Sequence, residues 1–122
     1  MKVLVVDDEP IVLKSCRRVL EAEGWEMISA SSVAEALSIL EGLAPDMMLI
    51  DVKMPIHDGM YLMRKVREQR PGIPIIVMSG YATGETIREA KDLGAAIFLP
   101  KPFTPDELAD TLKSVAKSSS HA

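Results

Sequence analysis

Four short apolar runs in the sequence each lead into a side chain that could take part in phosphoryl transfer. Asp7 and Asp8 follow the first run, and Asp51 ends the second. Ser79 follows the third run, and Lys101 comes just after the fourth. Because all strands of a parallel sheet end at one edge, these side chains are expected to converge on one crevice. Three carboxylates, a hydroxyl and an ammonium suit a metal-dependent phosphoryl-transfer site in which an aspartate is the acceptor.

The three carboxylates would need a cation if they lay together. Asp7, Asp8 and Asp51 would repel one another, and the pKa of at least one of them should rise. Oxygen ligands that leave room for water and a phosphoryl group favour Mg²⁺ over a full Ca²⁺ cage. The sequence has neither EF-hand spacing nor a Cys/His cluster for zinc. We therefore predict a Mg²⁺ site at these acids.

Each of these residues also has an ordinary structural interpretation. Asp7 and Asp8 could form a turn or cap a helix after the first strand. Ser79 could be a turn residue beside Gly80, and Lys101 could be a surface lysine. The chemical interpretation is favoured because the acids and the lysine occupy matching strand ends.

The chain alternates apolar runs with helical patterns, which indicates βα units and a parallel sheet. We predict strands near residues 2–7, 25–30, 46–51, 73–78 and 95–99. We predict helices near residues 10–23, 33–42, 58–70, 84–93 and 105–117. The fourth helix has few apolar residues, so it is either a movable element or an ordinary peripheral helix with a solvated face.

Composition places the chain among ordinary globular proteins. Its 122 residues predict one domain over 1–117, followed by a flexible tail over 118–122. The net charge of −4 argues against non-specific binding to nucleic acid or an anionic membrane. The single cysteine, Cys16, allows no internal disulfide and fits a reducing, cytoplasmic location. The N-terminal apolar run is too short for a signal peptide or a membrane span.

The motifs at these strand ends resemble, in order and over essentially the whole chain, the receiver domain of two-component response regulators. They are VVDDEP at 5–10, DVKMPIHDG at 51–59, MSGY at 78–81 and LPKPF at 99–103. The stretch SGYAT at 79–83 and the motif LPKPF are most similar to receivers of nitrogen-regulator type. The resemblance implies an α/β fold: a flavodoxin-like (βα)5 doubly wound parallel sheet with strand order 2-1-3-4-5.

The resemblance also implies a role for each residue. Asp51 would accept a phosphoryl group from a sensor histidine kinase or a histidine phosphotransfer protein. Asp8 and Asp51 would bind Mg²⁺ directly with the backbone carbonyl of Lys53, and Asp7 would act through a water molecule. Lys101 would hold the phosphoryl oxygens together with the metal.

A second group of residues would transmit and time the signal. Ser79 would turn toward the phosphoryl group, and Phe98 would be the switch aromatic. The surface of the fourth helix, fifth strand and fifth helix would then change. The loop containing Met54-Pro55 and Asp58-Gly59 would shape the acceptor side. Lys53 and Tyr81 would flank the entrance and slow hydrolysis.

These implications describe a phosphorylation-activated switch, not a multiple-turnover enzyme. Its expected partners are the phosphodonor protein and a downstream effector domain or protein, without direct contact to nucleic acid or a membrane. The sequence leaves undecided whether phosphorylation produces a homodimer. The alternative is a Mg²⁺-dependent phosphatase with an Asp nucleophile, but that class usually has an Asp-x-Asp motif first and its acid pair last. A degenerate receiver that serves only as an interaction module is a third interpretation.

Overall fold

The computed structural model describes residues 1–54, 58–80 and 83–119. The strands are β1 (Lys2–Val6), β2 (Glu26–Ala30), β3 (Met47–Asp51), β4 (Ile75–Ser79) and β5 (Ile97–Pro100). The helices are α1 (Pro10–Ala22), α2 (Val33–Gly42), α3 (Gly59–Gln69), α4 (Gly84–Asp92) and α5 (Pro105–Ser119). The predicted elements are all present, with ends that differ by one or two residues.

The strands form one parallel sheet in the order β2-β1-β3-β4-β5. The flavodoxin-like topology expected from the resemblance is therefore confirmed. The register pairs Asp51 with Met78 and Ser79 with Pro100, so the ends of the three strands on this side of the sheet are level. The topology thereby brings the predicted polar residues to one edge.

Helices cover both faces of the sheet, which explains why its strands read as continuous apolar runs. Along β1, Leu4 and Val6 join the core cluster that includes residues of α2, α3 and α4. The alternate residues Val3 and Val5 join the cluster formed with α1 and α5. All four side chains are fully buried. The sheet is thus held between two apolar layers, which fixes the strand ends relative to one another.

Local capping signals set where the helices begin. Ser32 caps α2 by accepting a hydrogen bond from the Glu35 amide at 3.1 Å. Thr104 and Glu107 satisfy each other's backbone amides at the start of α5, at 3.0 and 3.1 Å, as the capping-box pattern predicts. Asp58 caps α3 through the Tyr61 amide at 3.0 Å. Within the described residues, no helix has both the length and the apolar character needed to cross a bilayer.

Candidate functional site

The predicted polar residues meet at the carboxyl edge of the sheet. Asp7 follows β1, Asp51 ends β3 and Ser79 ends β4, and all three are buried. Lys101 follows β5, and its backbone amide donates to the Ser79 carbonyl at 2.8 Å. Asp8 is exposed beside them. The crevice predicted from the strand ends is therefore present.

The Lys101 ammonium lies at the centre of this group. Its Nζ is 2.8 Å from Oδ2 of Asp7 and 3.2 Å from Oδ1 of Asp51. A third carboxylate, that of Glu9, lies 3.2 Å from the same nitrogen through Oε1. The Lys101 side chain is only 15% exposed and those of Asp7 and Asp51 are buried, so these two ion pairs have little solvent screening. A partly buried lysine among carboxylates is not the surface lysine of the ordinary interpretation.

Glu9 was not predicted as a site residue. It precedes α1 and makes no side-chain capping bond there, although its position at the helix start would suggest one. Its amide instead donates to Oδ1 of Asp7 at 2.9 Å, which gives Asp7 part of the turn role proposed for it. The only sequence signal was that Glu9 is the third acid in succession after β1.

Four carboxylates could hold a cation here. Asp7, Asp8, Glu9 and Asp51 each offer an oxygen, and these oxygens all lie within 4.8 Å of one another. Hard oxygen donors of this kind suit Mg²⁺, and they leave positions for water and a phosphoryl group. The residues present therefore fit the ion that the sequence predicts.

The electrostatics of the acids show the strain that a cation would relieve. Burial, then the charge of Asp7, raises the pKa of Asp51 to about 6, although Lys101 opposes the shift. Burial also raises the pKa of Asp7, against the hydrogen bond from Lys101. Burial alone would lower the pKa of Lys101, but the carboxylates of Asp7 and Asp51 outweigh it and raise that pKa. Without a cation, the Asp51 carboxylate is thus costly to ionise.

The main chain of Asp51 is fixed by the start of α3. The Gly59 amide donates to the Val52 carbonyl at 2.8 Å. A Cβ at position 59 would overlap the carbonyl oxygen of Asp51, so only glycine allows the helix to approach this closely. The Asp-Gly pair at 58–59 therefore combines a helix cap with a point of contact behind the Asp51 main chain.

The other predicted residues surround this centre. Lys53 is exposed and follows Asp51 by two residues, and Phe98 is partly buried in β5 against the α3 and α4 side of the core. The Lys101–Pro102 peptide bond is cis, as the sequence allowed. Met54 is buried. Residues 55–57 and 81–82, which include Pro55 and Tyr81, lie outside the described residues.

The sequence model of the response regulator receiver domain matches residues 3–113 of this chain. The chain is a receiver domain. Sporulation initiation phosphotransferase F of Bacillus subtilis is 33% identical to it over 112 residues, covering 92% of this chain and 90% of that protein. A CheY-like receiver domain from Methanospirillum hungatei has a similar structure, with a TM-score of 0.93, 31% identity and coverage of 98% and 96% of the two chains.

Longer proteins contain similar domains. NtrX of Brucella abortus matches 98% of this receiver domain with a TM-score of 0.92 and 30% identity, but the match covers 27% of NtrX. The receiver domain spans about half the length of several other curated relatives. As a receiver domain of response regulators, the chain is a phosphorylation-activated switch of two-component signalling. The phosphatase alternative finds no support in the family or in these relatives.

Proposed function

We propose that Asp51 is the phosphoacceptor of this receiver domain. The observation that carries the proposal is the Asp51 side chain, which is 4% exposed at the end of the central strand β3 and has Oδ1 3.2 Å from the Lys101 ammonium. An Asp51 oxygen would attack the phosphorus of a phosphohistidine on the donor protein. The phosphorus–nitrogen bond would break, and its electron pair would stay on the imidazole.

The acids around Asp51 would hold the magnesium ion. Asp8 and Asp51 would bind it directly with the backbone carbonyl of Lys53, and Asp7 would act through a water molecule. When bound, the ion would neutralise charge on the acids and on the phosphoryl oxygens. Asp7 keeps a second task, because its Oδ2 is the nearest partner of the Lys101 ammonium at 2.8 Å.

Lys101 would stabilise the transferring phosphoryl group as a point charge. Its ammonium already lies 3.2 Å from the acceptor oxygen, so little movement is needed. Glu9 contacts the same nitrogen from an exposed position, with 57% of its side chain accessible. We propose that Glu9 competes with the incoming phosphoryl group for Lys101.

The response to phosphorylation would pass through Ser79 and Phe98. Ser79 is fully buried at the end of β4, one strand from Asp51. We propose that it turns toward the phosphoryl group and that Phe98 moves in consequence. Phe98 belongs to β5, so its movement would alter the surface of α4, β5 and α5.

The expected partners follow from this chemistry. We propose a sensor histidine kinase or a histidine phosphotransfer protein as donor, and a downstream effector domain or protein as target. The likeness to NtrX supports a receiver of nitrogen-regulator type. We further propose a cytoplasmic, non-catalytic switch over residues 1–117, without direct contact to nucleic acid or membranes. A phosphorylation-dependent homodimer through the altered surface is compatible with it.

Acetyl phosphate with Mg²⁺ tests the proposal. Intact-mass spectra should show one added phosphoryl group on the wild type and none on Asp51→Asn. Asp46→Asn is a matched control, because Asp46 is an exposed acid whose carboxylate accepts from the Lys2 amide, and it should label normally. Normal labelling of Asp51→Asn would place the acceptor elsewhere. Rapid turnover of phosphate esters would favour a phosphatase, and the absence of any label would favour a degenerate receiver.

A further inference from the structure

Helix α4 is weakly anchored along its length. Among its residues, Gly84–Asp92, only Ala90 is buried, and the large apolar side chain of Ile87 is 40% exposed. Thr83 caps its first turn through the Thr86 amide at 3.2 Å, an exposed and local bond. A helix that buries so little apolar surface gains little from packing. Contacts at its ends therefore decide where it lies.

The contacts at the C-terminal end come from Arg67 in α3. Its Nε donates to the Leu93 carbonyl at 3.0 Å, and its Nη2 donates to the Gly94 carbonyl at 2.8 Å. Its Nη1 donates to the carbonyls of Ile73 at 2.7 Å and Pro71 at 3.1 Å, in the connection between α3 and β4. The Arg67 guanidinium thus connects the segment before β4, at Pro71 and Ile73, with the segment after α4, at Leu93 and Gly94.

The backbone at Gly94 is shaped for this contact. Its φ of +86° is the left-handed conformation that ends a helix, and a Cβ there would lie 3.1 Å from Nε of Arg67. The carbonyls at a helix C-terminus carry partial negative charge, so a cation is favourable at this position. Burial lowers the pKa of Arg67, and a guanidinium stays charged after such a shift. These are charge-assisted hydrogen bonds at a partly buried site.

The N-terminal end of α4 has no comparable contact among the described residues. A second bond between α3 and α4 joins Arg64 to Glu89 at 2.6 Å. Both of those side chains are about half exposed, so that ion pair contributes little. The start of α4 is also the end nearer in sequence to Ser79, which we propose to move.

We propose that Arg67 is the positioning residue that fixes the C-terminal end of α4, so that phosphorylation swings the N-terminal end about a pivot at Leu93 and Gly94. The inference rests on the proposed function, because Ser79 supplies the displacement. About ten residues separate Thr83 from the pivot, a lever of roughly 15 Å. A rotation of about 10° would move the helix start by roughly 3 Å and the pivot hardly at all.

Amide hydrogen exchange, measured for each residue with and without Mg²⁺ and beryllofluoride, tests the pivot. Beryllofluoride is a stable mimic of the aspartyl phosphate. In the wild type, exchange should change severalfold at residues 84–88 and stay within about twofold at 93–95. Arg67→Met should speed exchange at 93–95 by about tenfold in the metal-free protein, because the bonds to the helix end are lost. Arg70→Met is the matched control, since Arg70 directly follows the same helix but donates to the Leu40 carbonyl of α2 at 2.7 Å.

Two results would overturn the inference. One is an equal change at both ends of α4 in the wild type, and the other is an equal effect of Arg67→Met and Arg70→Met at 93–95. Arg67→Lys keeps the charge without the fork of donors and should give intermediate exchange, so it serves if Arg67→Met does not fold. A wild type that fails to bind beryllofluoride would refute the proposed function, whereas the metal-free comparison still tests the anchor.

Discussion

Replacing Asp51, the proposed acceptor, should stabilise the metal-free protein. Asp51→Asn keeps the size of the side chain but removes a carboxylate whose pKa is raised from 3.8 to about 6, chiefly by burial and by Asp7. Ionising such a group in the folded state costs roughly 3 kcal/mol at pH values above 6, at 1.36 kcal/mol for each unit. At pH 7.5 the free energy of unfolding of Asp51→Asn should therefore exceed that of the wild type by up to about 3 kcal/mol.

The pH dependence gives the sign of this effect. A carboxyl whose pKa is higher in the folded than in the unfolded state stabilises the protein when protonated, and this contribution is lost as the pH rises from about 3.8 to about 6. The wild type should accordingly lose stability across that window more steeply than Asp51→Asn. At pH 4 the two proteins should have nearly equal free energies of unfolding.

Urea unfolding in EDTA from pH 4 to pH 8 measures both quantities. Asp110→Asn is the control, because Asp110 is an exposed acid of α5. Its substitution should change the free energy by less than about 0.5 kcal/mol at every pH. The reasoning is refuted if Asp51→Asn is no more stable than the wild type at pH 7.5, or if its advantage persists undiminished at pH 4.

Four further predictions concern ion binding, coupling and lifetime. Mg²⁺ at 100 times its dissociation constant should stabilise the wild type by about 2.7 kcal/mol, which thermal unfolding would measure. Asp8→Ala should lose most of this stabilisation. An undiminished stabilisation by Mg²⁺ in Asp8→Ala would show that Asp8 is not a ligand. Ser79→Ala should accept phosphate from acetyl phosphate yet change amide exchange across 83–100 less than the wild type does; an equal change would refute the coupling. Lys53→Ala should shorten the life of the phosphorylated form in a decay time course, because we expect the Lys53 side chain to shield the phosphoryl group from water. Slower decay would show that its charge governs the rate. Glu9→Gln should speed phosphorylation by acetyl phosphate severalfold by freeing Lys101 and reducing negative charge at the site; an unchanged rate would mean that Glu9 does not compete.

The strand-end residues were predictable because the residues that follow the strands of a parallel sheet all lie at the same edge of that sheet. Asp51 and Lys101 are far apart in the chain, yet each follows an apolar run, and the order of the sheet brings them within 3.2 Å. The ends of the elements were less certain. The amide of Ala95 bonds to the Ala90 carbonyl of α4, which keeps Ala95 out of the sheet, and β5 begins at Ile97.

Glu9 and Arg67 escaped prediction for a different reason. A charged residue at a helix start or on a helical face is most often solvated, and only long-range contacts reveal another role. Glu9 contacts Lys101, 92 residues away in the chain, and Arg67 contacts Leu93, 26 residues away. Local patterns carry no information about which distant backbone or ammonium such a side chain will meet.

The close approach of Gly59 to Asp51 makes the packing on the two sides of Asp51 unequal. On one side, helix α3 meets the Asp51 main chain with no side chain between them, and the Gly59 amide is bonded to Val52 at 2.8 Å. That side is stiff, because any retreat of the helix would open a gap behind the acceptor strand. On the other side, β4 ends in the small side chain of Ser79, and β5 carries the partly buried Phe98. We therefore expect a phosphoryl group on Asp51 to displace β4 and β5 and to leave α3 in place, which would couple the proposed acceptor to one side of the domain.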